Sequence, residues 1–140
     1  MNFRFRRWLV LPTLLFCASG LWAQCHPPVF SQQELSTLKK QAASGKADAQ
    51  CGLGLMYDTG LGVGVGLPQD FTKAAFWLEK SAEQGDPDAQ GPLGVLYRSG
   101  LGVEQDYTKA LYWLRKAAEQ GVDGSQLNLG LMYSNGQGCA

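Results

Sequence analysis

A surplus of basic charge is missing from this chain: lysine and arginine number 12, and so do aspartate and glutamate. Proteins that grip nucleic acid or an anionic membrane surface carry such a surplus, so neither is expected as a partner. Histidine is nearly absent. The single one, His26, stands beside Pro27 and Pro28 in an extended lead-in, and Cys25 next to it makes two adjacent ligands where structural zinc usually takes four. Neither a metal site nor a Cys-His catalytic pair is expected. Apolar runs long enough to span a membrane are missing too: residues 8–16 form a short one, and nothing later approaches the ~20 residues required. Two glycine loops, Gly60-Leu61-Gly62-Val63 and Gly100-Leu101-Gly102-Val103, have the flavour of phosphate cradles but lack the lysine and the serine or threonine that complete one. Their glycines suit positive φ and tight reversal instead.

What is present begins with Arg4, Arg6 and Arg7 ahead of that short apolar run, and together they read as a secretory signal peptide over residues 1–23. Cleavage is expected after Ala23, with a cut after Gly20 as the alternative. Loss of three arginines leaves nine basic against twelve acidic side chains, a formal charge of −3 on the exported, periplasmic or secreted form. Lipoprotein signals, as a family, place a small residue before the acylated cysteine. Gln24 is not small, so no lipid anchor at Cys25 is expected. With 140 residues and 45% apolar content, the chain has room for one modest domain.

The chain repeats itself. Ala47-Asp48-Ala49-Gln50 opens a block that continues through Leu53-Gly54, Tyr57, the first glycine loop, Asp70, Trp77-Leu78 and Ser81-Ala82-Glu83-Gln84-Gly85. Pro87-Asp88-Ala89-Gln90 opens a second, with Leu93-Gly94, Tyr97, the second glycine loop, Asp106, Trp113-Leu114 and Ala117-Ala118-Glu119-Gln120-Gly121. A third supplies Gln126, Leu129-Gly130, Tyr133 and Gly136-Gln137-Gly138, then stops before a second helix could form. The spacing is 40 residues and then 36, with four extra residues falling within 64–68. Self-similarity at such a period marks a stacked array, in which each unit hides its apolar face against the next.

Apolar residues recurring at three and four places on both sides of each glycine loop predict helix, loop, helix. Ala49, Leu53, Met56 and Tyr57 share a face, and Gly54 beside them lets a neighbouring helix come close, which outweighs glycine's cost of ~1 kcal/mol within a helix. Asp70 and Asp106 are placed to cap second helices that end at Gly85 and Gly121. Ser31 and Glu34 form a capping box opening a helix to about Ser44, whose Leu38, Lys40, Ala42 and Gly45 align with Leu78, Lys80, Ala82 and Gly85. The expected organisation is a lead-in at 24–30, a half-repeat at 31–46, repeats at 47–86 and 87–122, and a truncated repeat at 123–140. Trp77, Trp113, Tyr57, Tyr97 and Tyr133 recur at fixed repeat positions and are read as core, not as stacking platforms.

A-x-A-Q, L-G-x-x-Y, G-x-G-V, an aspartate before the second helix, W-L and A-A-E-Q-G, in this order, closely resemble the Sel-one-like repeat family, relatives of tetratricopeptide repeats. The resemblance covers nearly all of the chain after its signal. It implies an all-α fold, an α/α solenoid in which antiparallel helix pairs stack as a right-handed superhelix. It also implies an adaptor for protein complexes, with no cofactor; exported bacterial members contribute to envelope assembly, signalling or host contact. Three features depart from the pattern. The insertion with Gly64, Gly66 and Pro68 is expected to form a mobile protrusion. Pro92 falls about five positions into a helix, at a cost of ~3 kcal/mol, so that helix either starts late or kinks. Without a final second helix, Leu127, Leu131 and Met132 have less to pack against, leaving a sticky end.

In related repeats the first helices line the concave surface. Here the side opposite the packing face carries Asp48, Cys51, Leu55 and Asp58, then Asp88, Gly91, Val95 and Arg98, then Leu127, Leu131 and Ser134. Leu55, Val95 and Leu131 would make an apolar strip flanked by charge, a groove for a protein or peptide partner, unless neighbouring helices simply cover it. A second reading has the truncated end self-associate as an envelope component, a homodimer through Leu127 and Leu131 or through Cys139. A third is a small inhibitor or immunity protein using the same surface.

The exported form keeps an odd number of cysteines, Cys25, Cys51 and Cys139. A bridge from Cys25 to Cys51 is favoured, stapling the N-terminal segment across the half-repeat, whereas Cys51 and Cys139 lie two units apart, beyond the ~7 Å a disulfide permits. Cysteine-rich exported relatives bridge the two helices of one repeat, but no second-helix position here carries cysteine, so that pattern does not transfer. Ser36-Thr37-Leu38-Lys39 matches the S-x-x-K motif of penicillin-recognising enzymes, yet the S-D-N and K-T-G partners are missing. No enzymatic activity is expected.

Overall fold

Four of the six described helices are started by a side-chain cap, and each is followed by a glycine-bearing turn. In the computed structural model, which describes residues 31–60 and 67–138, there are six helices and no strand among the described residues. They are α1 (Gln32–Ala43), α2 (Ala47–Thr59), α3 (Phe71–Glu83), α4 (Pro87–Ser99), α5 (Tyr107–Glu119) and α6 (Asp123–Ser134). The capping box at α1 is reciprocal: the Glu34 N–H donates to Ser31 Oγ at 3.2 Å and the Ser31 N–H to Glu34 Oε2 at 2.7 Å. Asp70 and Asp106 cap α3 and α5 by accepting from the Lys73 and Lys109 N–H groups, each at 3.0 Å. Gly60 and Gly100 then close α2 and α4 in the left-handed region, both at φ 69°.

Successive helices pack as antiparallel neighbours, and α2 also touches α4, as α4 does α6. First helices meet each other more extensively than second helices do. The core runs along the seam, with Leu53, Leu78, Leu93, Leu114 and Met132 fully enclosed. Within each complete repeat the seam is closed by glycine. A Cβ at Gly54 would lie 2.7 Å from Leu78 Cγ, and one at Gly94 2.7 Å from Leu114 Cγ.

Repeats are also joined by a chain of buried glutamines that the motif reading did not interpret. Gln50 donates to the Ala42 carbonyl at 3.0 Å and accepts from Gln84 Nε2 at 2.7 Å. One repeat later Gln90 donates to the Ala82 carbonyl at 3.2 Å and accepts from Gln120 at 2.7 Å. Each first-helix glutamine thus ties the end of the preceding second helix to the end of its own partner helix. Gln126, next in the series, is exposed.

Several expectations need correction. Helix α4 begins at Pro87 and runs through Pro92, so the late start does not occur; the proline removes only the bond that residue 92 would have donated to the Asp88 carbonyl. Met132 is completely buried, because it faces back into the stack. Tyr133 is not core: 48% of it is exposed, since among the described residues no helix follows α6 to cover the position that α3 and α5 cover at Tyr57 and Tyr97. Leu67, inside the insertion, is buried and packs with the core. Gly64 and Gly66, on which the protrusion reading rests, lie outside the described residues, as do residues 1–30 and Cys139.

Candidate docking surface

The first-helix side is shaped by what each helix must spend on its neighbours. Where α2 and α4 come together near their N-termini they leave a groove of about 480 Å³, lined by Asp48, Cys51, Gly52, Leu55, Asp86, Asp88 and Pro92. Four of the residues placed on this side from sequence, Asp48, Cys51, Leu55 and Asp88, therefore share one groove. Gly52, Asp86 and Pro92 complete it and were missed. Asp86 sits in the turn before α4, and no helical periodicity could have placed it on a face.

The remaining candidates fall along the array outside the groove. Val95, like Leu55 within the groove, is half-buried, its inner side packed against the core. Arg98 is half-buried and donates to Asn128 Oδ1 at 2.8 Å, joining α4 to α6. Asp58 is half-buried, and burial pushes its carboxyl above the ordinary carboxylate range. Ser134 is exposed and donates to the Leu131 carbonyl at 3.0 Å. Leu127 and Leu131 stand 67% and 47% exposed. Gly91 is buried, because Ser125 fills the space beside it: a Cβ there would lie 2.8 Å from Ser125 Oγ.

Cys51 is buried and unbridged among the described residues; its suggested partner Cys25 lies outside them. Burial first, and then the carboxylates of Asp86, Asp88 and Asp48, push its thiol up from 9.0 to about 12. Both effects disfavour the thiolate. At pH 8 the reactive thiolate is then about a thousandfold scarcer than in the unfolded chain. With any bridge reduced first, native Cys51 should alkylate at least that much more slowly, read on its own peptide by mass spectrometry. The raised folded value also means that the stability contributed by the neutral thiol is intact below about pH 9 and is lost as pH rises toward 12.

Ser36 of the S-x-x-K tetrad lies on α1, where its hydroxyl donates to the Gln33 carbonyl at 2.8 Å. Among the described residues no group of three or more His, Cys, Asp and Glu could hold a metal ion, and no helix is long and apolar enough to cross a membrane.

The fold and its repeat motifs are shared with known proteins. The family model for the Sel1 repeat matches residues 47–86, 87–122 and 124–140. Among solved structures the chain is similar to c5321, described as a protective antigen present in uropathogenic Escherichia coli strains displaying an SLR fold, with 39% identity and a TM-score of 0.70 over 76% of this chain. It is also similar to a Sel1 repeat protein from Oxalobacter formigenes, with 34% identity and a TM-score of 0.70 over 78%. The match spans 22% of the first protein and 43% of the second, so this chain covers less than half the length of either. No curated protein matches the chain. Sel1 repeats commonly serve as protein–protein interaction modules and are typically non-enzymatic. With three matched repeats, a glycine seam in each complete one and two solved arrays of the same build, this chain belongs to the Sel1-repeat family.

Proposed function

We propose that this chain is an exported adaptor, carried out of the cytoplasm by residues 1–23, that docks a protein or peptide on its first-helix side and performs no chemistry of its own. The observation that carries this reading is the groove between α2 and α4, where the half-buried Leu55 lies among the exposed carboxylates of Asp48 and Asp88. An apolar floor with a charged rim suits a short extended or helical segment, because the floor supplies affinity and the rim fixes orientation. The test is the double substitution Leu55→Asp with Val95→Asp. Its binding to the partner captured by the native chain should fall ~100-fold, as loss of a central anchor does, with the helical circular dichroism retained. A folded double variant that still holds the partner contradicts the proposal.

Self-association is the second reading, favoured by the exposure of Leu127 and Leu131 on α6. Light scattering separates the two: a monomer in dilute solution speaks against it, and a tight homodimer lost on Leu127→Ser speaks for it.

A further inference from the structure

We infer that the groove between α2 and α4 selects a cationic peptide segment: lysine or arginine against Asp48, Asp86 and Asp88, with a neighbouring apolar side chain seated on Leu55 and Pro92. This rests on the first-helix side being the docking wall and adds the chemistry of what docks there.

The charge is the first argument. The N-termini of α2 and α4 open at this groove, and acids in a first turn ordinarily answer the helix dipole. Two helix ends supply about +0.5 each, whereas three carboxylates supply three negative charges, so most of the negative charge is left over. Neutral donors do not remove it: Asp86 accepts from the Asp88 N–H at 3.0 Å and from the Ser81 hydroxyl at 2.6 Å. Among the described residues the one salt bridge is Lys73–Asp70, elsewhere in the fold. Lys46, adjacent in sequence, does not line the groove. The thiol of Cys51 is raised chiefly by burial, with Asp86, Asp88 and Asp48 adding to the effect.

The second argument comes from the next junction along the array. There the positions of Asp86, Asp88 and Cys51 are held by Val122, Gly124 and Gly91, and Ser125 fills the gap beside Gly91. The position of Asp48 keeps an acid there, Asp88, but the other two acids are gone, and Val122 starts α6 with no side-chain cap. Packing does not require all three acids, and among the described first-helix junctions they come together between α2 and α4. With about 480 Å³ available, the groove accepts one or two side chains of an extended segment.

The test uses the full chain, isotopically labelled, and three short blocked peptides in which leucine is flanked by lysine and arginine, by glutamates, or by glutamines. The cationic peptide should shift the amides of Asp48, Gly52, Leu55 and Asp88, and should bind about fivefold more weakly when salt is raised from near 50 to 500 mM. Asp48→Asn with Asp88→Asn, which leaves the Asp86 cap intact, should weaken it about tenfold without changing the melting temperature. Equal binding of the glutamine peptide at these amides overturns the charge selection while leaving the docking wall in place. Shifts confined to α3 and α5 overturn both readings. The inference also fails if none of the peptides binds, if the Asn variant binds as the native chain does, or if the groove amides move with protein concentration alone, which makes a second copy the occupant.

Discussion

Gly94→Ala lowers the stability of the array by ~3 kcal/mol, whereas Gly130→Ala, the same position one repeat on, leaves it unchanged or raises it by up to ~1 kcal/mol. Alanine is intrinsically the better helix former at both places, so the sign is decided by what the new methyl group meets. At Gly94 it would lie 2.7 Å from Leu114 Cγ and 3.2 Å from the Ala110 carbonyl oxygen. Leu114 is fully enclosed and Ala110 is helix backbone, so relief requires α4 and α5 to separate along their seam. Gly54 is held the same way, 2.7 Å from Leu78 Cγ and 3.1 Å from the Leu78 nitrogen, and its alanine variant should be equally damaging. Nothing lies within 4 Å of a Cβ at Gly130. Urea melts of the three single variants make the comparison. A Gly130→Ala loss as large as the others would show that the outer face of α6 is covered in solution.

Gln90→Leu should cost ~2–3 kcal/mol although leucine is the more hydrophobic side chain. Gln90 is 1% exposed, and its amide spans two helices, donating to Ala82 and accepting from Gln120. Leucine satisfies neither group, and the branched side chain has to fit a slot shaped for a planar amide. The Ala82 carbonyl keeps the Gly85 N–H at 3.0 Å, which limits the loss. Gln126 is the internal control. It is exposed at the open end of the series, so Gln126→Leu should lie within ~0.5 kcal/mol of the native chain. Thermal melts of both variants give the answer, and equal effects would mean that the glutamines do not tie the repeats together.

The fold was legible because its determinants are local and occur more than once. Ser31, Asp70 and Asp106 cap the helices they precede, and Gly54 and Gly94 recur where a helix has to come close. A motif position, however, reports only the role it plays when its neighbours are present. Tyr133 carries the same letter as Tyr57 and Tyr97, yet it is half-exposed because burial there depends on a following helix. The role of Gln50 and Gln90 was hidden for a related reason: their partners are backbone carbonyls, which no sequence pattern names. The candidate surface was legible in part. Counting along the helix faces brought Asp48, Cys51, Leu55 and Asp88 to one groove, but it could not find Asp86 in a turn. Nor could it tell that Arg98 is engaged with Asn128, or that Leu67, in an insertion without periodicity, is buried.

Hydrogen–deuterium exchange of the native chain, alone and with the partner it captures, tests the docking wall most directly. Slowed exchange confined to residues 48–58 and 88–98 is the expected result. Protection that falls on 72–83 and 108–119 instead, with the first helices unchanged, would contradict the account.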